Sequence, residues 1–120
     1  MLKKWEDLTG FRLLERFGMT ETLMALSNPY KPESMRLSGK VGSPLPGVEA
    51  ALMSLNSFKS DQDTIEILGE DSQEQGELLI ASTSMFDRYL NRPETTRESF
   101  VIDKDGKKWF KTGDCAVKCP

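Results

Sequence analysis

Two short runs in this chain have residue types suited to a phosphorylated ligand: Phe17-Gly18-Met19-Thr20-Glu21 and Thr112-Gly113-Asp114. In the first, glycine frees the backbone, the Thr20 hydroxyl can donate to a phosphate oxygen, and Glu21 is the hard oxygen ligand that Mg²⁺ takes when it bridges phosphates. If Thr20 caps a helix with Glu21 in its first turn, the backbone N–H groups and the helix dipole there favour an anion. Phe17 offers a flat face to a base or an acyl group. In the second run, a carboxylate released at the end of a strand can accept both hydroxyls of a ribose. Each run taken alone also reads as plain structure. The first is then a strand–glycine–helix junction, the second a turn in which Asp114 accepts backbone N–H groups.

Other chemistry is excluded by composition. The 120 residues include no histidine, so a Ser-His-Asp triad, a Cys-His dyad and a His-ligated metal are all ruled out. Two cysteines, Cys115 and Cys119, are half the number a Cys-only zinc site needs and read as reduced thiols. The formal net charge of −3 argues against a nucleic-acid binder, which concentrates Lys and Arg. The charge is uneven: residues 1–60 carry eight Lys/Arg against six Asp/Glu, and residues 61–120 eight against thirteen. The acidic run from Asp61 to Glu77 reads as a solvated loop. The longest apolar runs, such as Leu78-Leu79-Ile80-Ala81, fall far short of the ~20 residues of a membrane span. Residues 1–6 are too short and too polar for a secretory signal, and the residues alone supply no address.

The elements that must carry these runs are short. An apolar stretch over 8–17, bounded by Gly10 and Gly18, predicts a buried strand, and residues 20–26 predict a helix stopped by Pro29. Residues 30–47 are a Pro- and Gly-dense connection. Strands are expected over 48–55, with Val48, Ala50, Leu52 and Ser54 on one face, and over 64–68, 76–81, 108–112 and 115–119. Helices are expected over 85–90 and 93–100, the second with Pro93 at its first position and Glu94 in the first turn. Asp103 to Gly106 predicts a hairpin turn. The fold class expected is α+β and strand-rich. The first and last strands lack local partners, which predicts a piece of a larger domain.

In order, the motifs are no longer generic. Phe17-Gly18-Met19-Thr20-Glu21 resembles the fifth core motif, aromatic-Gly-x-Thr-Glu, of the acyl-adenylate-forming (AMP-binding) superfamily of acyl-CoA synthetases, luciferases and peptide-synthetase adenylation domains. Val41-Gly42-Ser43-Pro44-Leu45-Pro46-Gly47-Val48-Glu49 is similar to the segment that follows it. Gly76-Glu77-Leu78-Leu79-Ile80 resembles the sixth motif, Tyr89-Leu90-Asn91-Arg92-Pro93-Glu94-Thr95-Thr96 the stretch after it, and Trp109-Phe110-Lys111-Thr112-Gly113-Asp114 the seventh. Residues 62–74 look like an insertion. Residues 13–29 look most like malonyl-CoA synthetases, including the mitochondrial animal form, with Phe17 where tyrosine is usual.

The resemblance implies a two-step acid–thiol ligase that uses ATP, Mg²⁺ and CoA on a small carboxylate, malonate or methylmalonate, with no nucleic acid and no membrane span. By that resemblance Thr20 and Glu21 serve the chemistry, Thr20 touching the α-phosphate and Glu21 holding Mg²⁺. Glu15, Arg16, Phe17, Gly18 and Met19 pass the adenine and the acyl group, Glu15 near the exocyclic amine. Asp114 binds the ribose hydroxyls and Phe110 supports its strand. Arg16 is either a carboxylate ligand or half of a structural ion pair. The implied fold is part of the N-terminal domain of such an enzyme, residues 1–120, mostly a distorted antiparallel β-barrel with a few short helices and incomplete at both ends. The family's phosphate loop and its C-terminal domain with the catalytic lysine lie outside this stretch. A medium-chain or other acyl-CoA ligase fragment, or a catalytically inactive truncated product, are the alternatives. The compartment implied is mitochondrial.

Overall fold

A computed structural model describes residues 1–57 and 65–119 of the chain. The chain divides into two compact units, Met1–Val48 and Glu49–Pro120.

In the first unit, α1 (Leu2–Thr9) precedes any strand. Leu2, Trp5 and Leu8 recur at helical spacing, Lys3 and Asp7 pair at 3.6 Å one turn apart, and Gly10 stops the helix in the left-handed conformation. The buried strand expected over 8–17 is therefore corrected. Phe11 and Leu13 are exposed, and pairing begins only at β1 (Arg16–Met19). β1 pairs antiparallel with β2 (Leu23–Ser27), which pairs antiparallel with the two-residue β3 (Ser43–Pro44). The helix expected over 20–26 is thus the turn and second strand of a hairpin. Seven residues are too few for a stable isolated helix, and Thr20 and Thr22 are β-branched. Extended pairing on both sides of β2 instead buries Ala25 and Leu26. Between β2 and β3 the chain makes a 3₁₀ turn, Glu33–Met35, under which Arg36 is buried.

The second unit is a four-stranded sheet in the order β4 (Val48–Ser54), β5 (Gly76–Ser82), β7 (Lys108–Ala116), β6 (Phe100–Ile102), with α2 (Pro93–Glu98) before β6. β7 runs antiparallel to both β5 and β6. Leu78 to Ala81 are all buried, so β5 is covered on both faces. Ala51, Met53, Leu79, Ala81 and Trp109 form one core, with Ile65, Ile67 and Val101 packed on it. Phe110 alternates to the opposite face. There its ring meets Phe86 at 5.3 Å and Phe100 at 5.6 Å. β4 is buried from Ala51 to Ser54 rather than on one face alone. Pro93 opens α2 as expected, and Glu94 and Arg97 pair at 3.1 Å.

The hairpin turn forms at Asp103, whose carbonyl accepts from Gly106 N–H at 3.0 Å. Three other expectations are corrected. Residues 85–90 are irregular rather than helical, because the Phe86 ring is drawn against Tyr89, Phe100 and Phe110. Of the strand expected over 64–68, Thr64 lies outside the described residues and the rest makes a single bridge, Ile67 to Met53. Cys115 and Ala116 extend β7 instead of opening a new strand, and residues 117–119 have no regular structure. The strand-rich, antiparallel α+β character holds, in two open sheets with no closed barrel among the described residues.

Candidate functional site

Thr20 and Glu21 occupy the tip of the β1–β2 hairpin. Met19 and Leu23 are the last paired positions, and Thr22 N–H donates to Met19 O at 3.1 Å to close the turn. Thr22 is fully buried, which anchors the tip, while Thr20 is exposed and Glu21 half-buried. No helix follows Thr20, so the dipole expected there is absent. An anion at this tip would meet the Thr20 hydroxyl and turn N–H groups instead. Gly18 does not end the strand. It sits within β1 beside a register shift, where a Cβ would stand 2.5 Å from Leu23 O. Glycine is required there by the approach of the partner backbone.

Along β1, Phe17 and Met19 are half-buried on one side, and Arg16 and Gly18 are exposed on the other. Arg16 forms no ion pair among the described residues. Glu15, just before β1, is held twice. Its Oε2 accepts from Gly39 N–H at 2.7 Å, and its carbonyl accepts from Asn28 N–H at 3.1 Å. Asn28 is buried; its Nδ2 donates to Lys40 O at 2.5 Å and its Oδ1 accepts from Leu37 N–H at 3.0 Å. Arg36 donates to the carbonyls of Arg12 (2.6 Å), Tyr30 (2.6 Å) and Pro29 (3.2 Å). Sequence reasoning missed Asn28 and Arg36. Their signal was faint: polar side chains inside a Pro-bounded loop whose many backbone groups need partners.

Asp114 belongs to the second unit, on β7. Strand β7 does not end at Gly113 as expected. Lys111 faces Leu79 and Cys115 faces Glu77, so three β7 residues, 112–114, stand opposite Leu78 alone. This bulge needs Gly113, whose φ is 76°. Thr112 Oγ1 donates to Leu78 O at 2.8 Å and accepts from Asp114 N–H at 3.2 Å. Gly113 N–H donates to Glu77 Oε1 at 3.2 Å. Asp114 itself is exposed. The buried Phe110 anchors the strand four residues earlier.

Among the described residues no three His, Cys, Asp or Glu side chains converge as a metal cage. A single carboxylate such as Glu21 fits Mg²⁺, which keeps several waters and binds through one or two carboxylates plus substrate phosphates. No helix among these residues is long and apolar enough to cross a membrane.

Comparison with known proteins adds a family. A family model described as AMP-binding enzyme matches residues 1–90. The chain is 42% identical over 127 residues to the mitochondrial malonate–CoA ligase ACSF3 of Homo sapiens, covering 98% of this chain and 21% of that protein. It is 46% identical over 114 residues to the malonate–CoA ligase of Arabidopsis thaliana, covering 95% of this chain and 16% of that one. The solved ternary product complex of a malonyl-CoA ligase with methylmalonyl-CoA and AMP bound is similar at a TM-score of 0.71 and 35% identity, over 99% of this chain and 22% of that one. The chain thus spans about a fifth of the length of these relatives.

Proposed function

The chain belongs to the AMP-binding enzyme family, and from that premise we propose that it is part of the N-terminal domain of an ATP-dependent acyl-CoA ligase acting on malonate or methylmalonate. The observation that carries the reading is the similarity to malonate–CoA ligases across almost the whole chain, 42–46% identical. The address in the name of the human relative supports a mitochondrial compartment for this one.

In the first step of the proposed reaction, a substrate carboxylate oxygen attacks the α-phosphorus of ATP, and pyrophosphate leaves. In the second, the CoA sulfur attacks the acyl carbon, and AMP leaves. At the hairpin tip Thr20 contacts the α-phosphate, and Glu21 is the residue that holds Mg²⁺, which supplies charge neutralisation at the phosphates when bound. Glu15, Arg16, Phe17, Gly18 and Met19 are the stretch that the adenine and the acyl group pass, Phe17 and Met19 on one side of β1 and Arg16 and Gly18 on the other, and Asp114 accepts the ribose hydroxyls. Glu15 keeps Oε1 for the exocyclic amine while Oε2 holds Gly39. The contribution of these residues is positioning and charge stabilisation more than bond-making.

The test is product analysis of the full-length protein that contains this segment. With ATP, Mg²⁺, CoA and malonate it should release AMP, pyrophosphate and malonyl-CoA in equal amounts. AMP release indifferent to malonate, or no release at all, overturns the proposal.

A further inference from the structure

We infer that Glu77 is a positioning residue for the nucleotide: through its hydrogen bond to Gly113 N–H it fixes the β7 bulge that presents Asp114, an inference that rests on the ribose-binding reading of Asp114. The argument starts from the ladder. Three residues, 112–114, stand opposite one, so the N–H groups of the bulge lack regular partners on β5. Thr112 Oγ1 takes that of Asp114, and the Glu77 carboxylate takes that of Gly113. The second bond is charge-assisted and reaches across from the neighbouring strand, whereas the first is local. It acts at the residue with most backbone freedom, a glycine at φ 76° in an exposed position. The bond to Gly113 therefore ties the conformation of the bulge to the rigid, doubly buried β5. Asp114, next in the chain, is held through its own N–H to Thr112 Oγ1. A carboxylate that must face two adjacent hydroxyls depends on its backbone bearing, and loosening that bearing costs affinity with no atom of the ligand contact removed.

The experiment uses the full-length ligase with four variants: Glu77→Ala, Glu77→Gln, Asp114→Ala and the double Glu77→Ala/Asp114→Ala. Steady-state KM for ATP and kcat are measured on protein normalised by active-site titration. Glu77→Ala should raise KM for ATP ~5–10-fold with kcat within ~2-fold, the range of one ordinary hydrogen bond, as suits an exposed pair. Glu77→Gln keeps a carbonyl oxygen for Gly113 N–H and should stay within ~2-fold of the parent. The double variant should be no worse than Asp114→Ala, because the two residues act as one unit. Unchanged KM in Glu77→Ala while Asp114→Ala raises it sinks the inference and leaves the proposed function standing. So does a fall in active protein with normal KM, the mark of a merely structural residue. If Asp114→Ala itself leaves KM unchanged, the ribose reading of Asp114 fails, and the inference with it.

Discussion

At the scale of single residues, Glu21 sits on a turn and Asp114 in a strand bulge, and their proposed tasks differ in when they act. Charge at the phosphates grows as the α-phosphorus is attacked, so a carboxylate that holds the metal there matters most in the transition state. Ribose hydroxyls do not change, so their partner contributes uniform binding. Glu21→Gln keeps the shape and removes the charge. In the full-length ligase it should slow malonate-dependent ATP–pyrophosphate exchange ~10²–10³-fold, the scale of one lost electrostatic contact at developing charge. Asp114→Ala should instead raise KM for ATP ~10-fold and leave kcat nearly intact. Normal kinetics in both variants would falsify the nucleotide reading and return both runs to ordinary turns. What the sequence revealed here was the identity of these residues. What it concealed was their setting, because Thr20 followed by Glu21 is also how many helices begin, and only the pairing of β1 with β2 decides against a helix.

At the scale of elements, legibility followed locality. β5 was readable because an apolar run leaves a glycine, α2 because proline and glutamate stand at its start, and the β6–β7 turn because Asp103 to Gly106 has hairpin chemistry. The hairpin over 16–27 was not, since its second strand is held from the other side by Ser43 and Pro44, sixteen or more residues away in sequence. Arg36 was hidden inside an irregular loop, where its guanidinium satisfies carbonyls at Pro29 and Tyr30 nearby and at Arg12 further back in the sequence. Arg36→Met should lower unfolding stability by ~2–3 kcal/mol in a denaturant titration, because three part-buried carbonyls lose a charged donor. Arg36→Lys should recover little of it, since three different guanidinium nitrogens meet the three carbonyls and a single ammonium nitrogen cannot stand in for all of them; full recovery would show that charge alone matters. In the β6–β7 hairpin, the indole N–H of Trp109, 2.7 Å from Asp103 Oδ2, and then the Lys107 N–H hold the Asp103 carboxyl below its ordinary 3.8. A depressed acid contributes stability above its unfolded-state pKa and loses it as pH falls through the folded value. The melting midpoint should therefore drop on acidification below about pH 4, more steeply than in Asp103→Asn, and parallel acid limbs for the two proteins would remove Asp103 from the account.

At the scale of the whole molecule, the question is what the rest of such a ligase must add to these two units. The absence of histidine leaves carboxylates and hydroxyls as the candidate groups in these two units, and adenylation is the activity proposed from the family. Substrate choice needs one thing more. A malonate site has to meet a second carboxylate that takes no part in the reaction, and burying that charge without a partner is expensive. The cation that meets it makes the site selective in return, because a monocarboxylate leaves it unpaired. The full-length ligase should therefore prefer malonate, and methylmalonate after it, over propionate and butyrate by ~10²-fold or more in kcat/KM. Arg16 is the one candidate cation inside the hairpin, exposed on β1 next to Phe17. Its alternation with Phe17 sets it on the opposite side of the strand from that ring. Arg16→Met then separates two roles in one measurement. A selective loss of malonate turnover with propionate turnover unchanged makes Arg16 the carboxylate ligand, whereas an equal loss for every acid, tracking the yield of folded protein, makes it structural. Equal rates for malonate and butyrate in the unaltered ligase would leave the family assignment in place and remove the dicarboxylate as substrate.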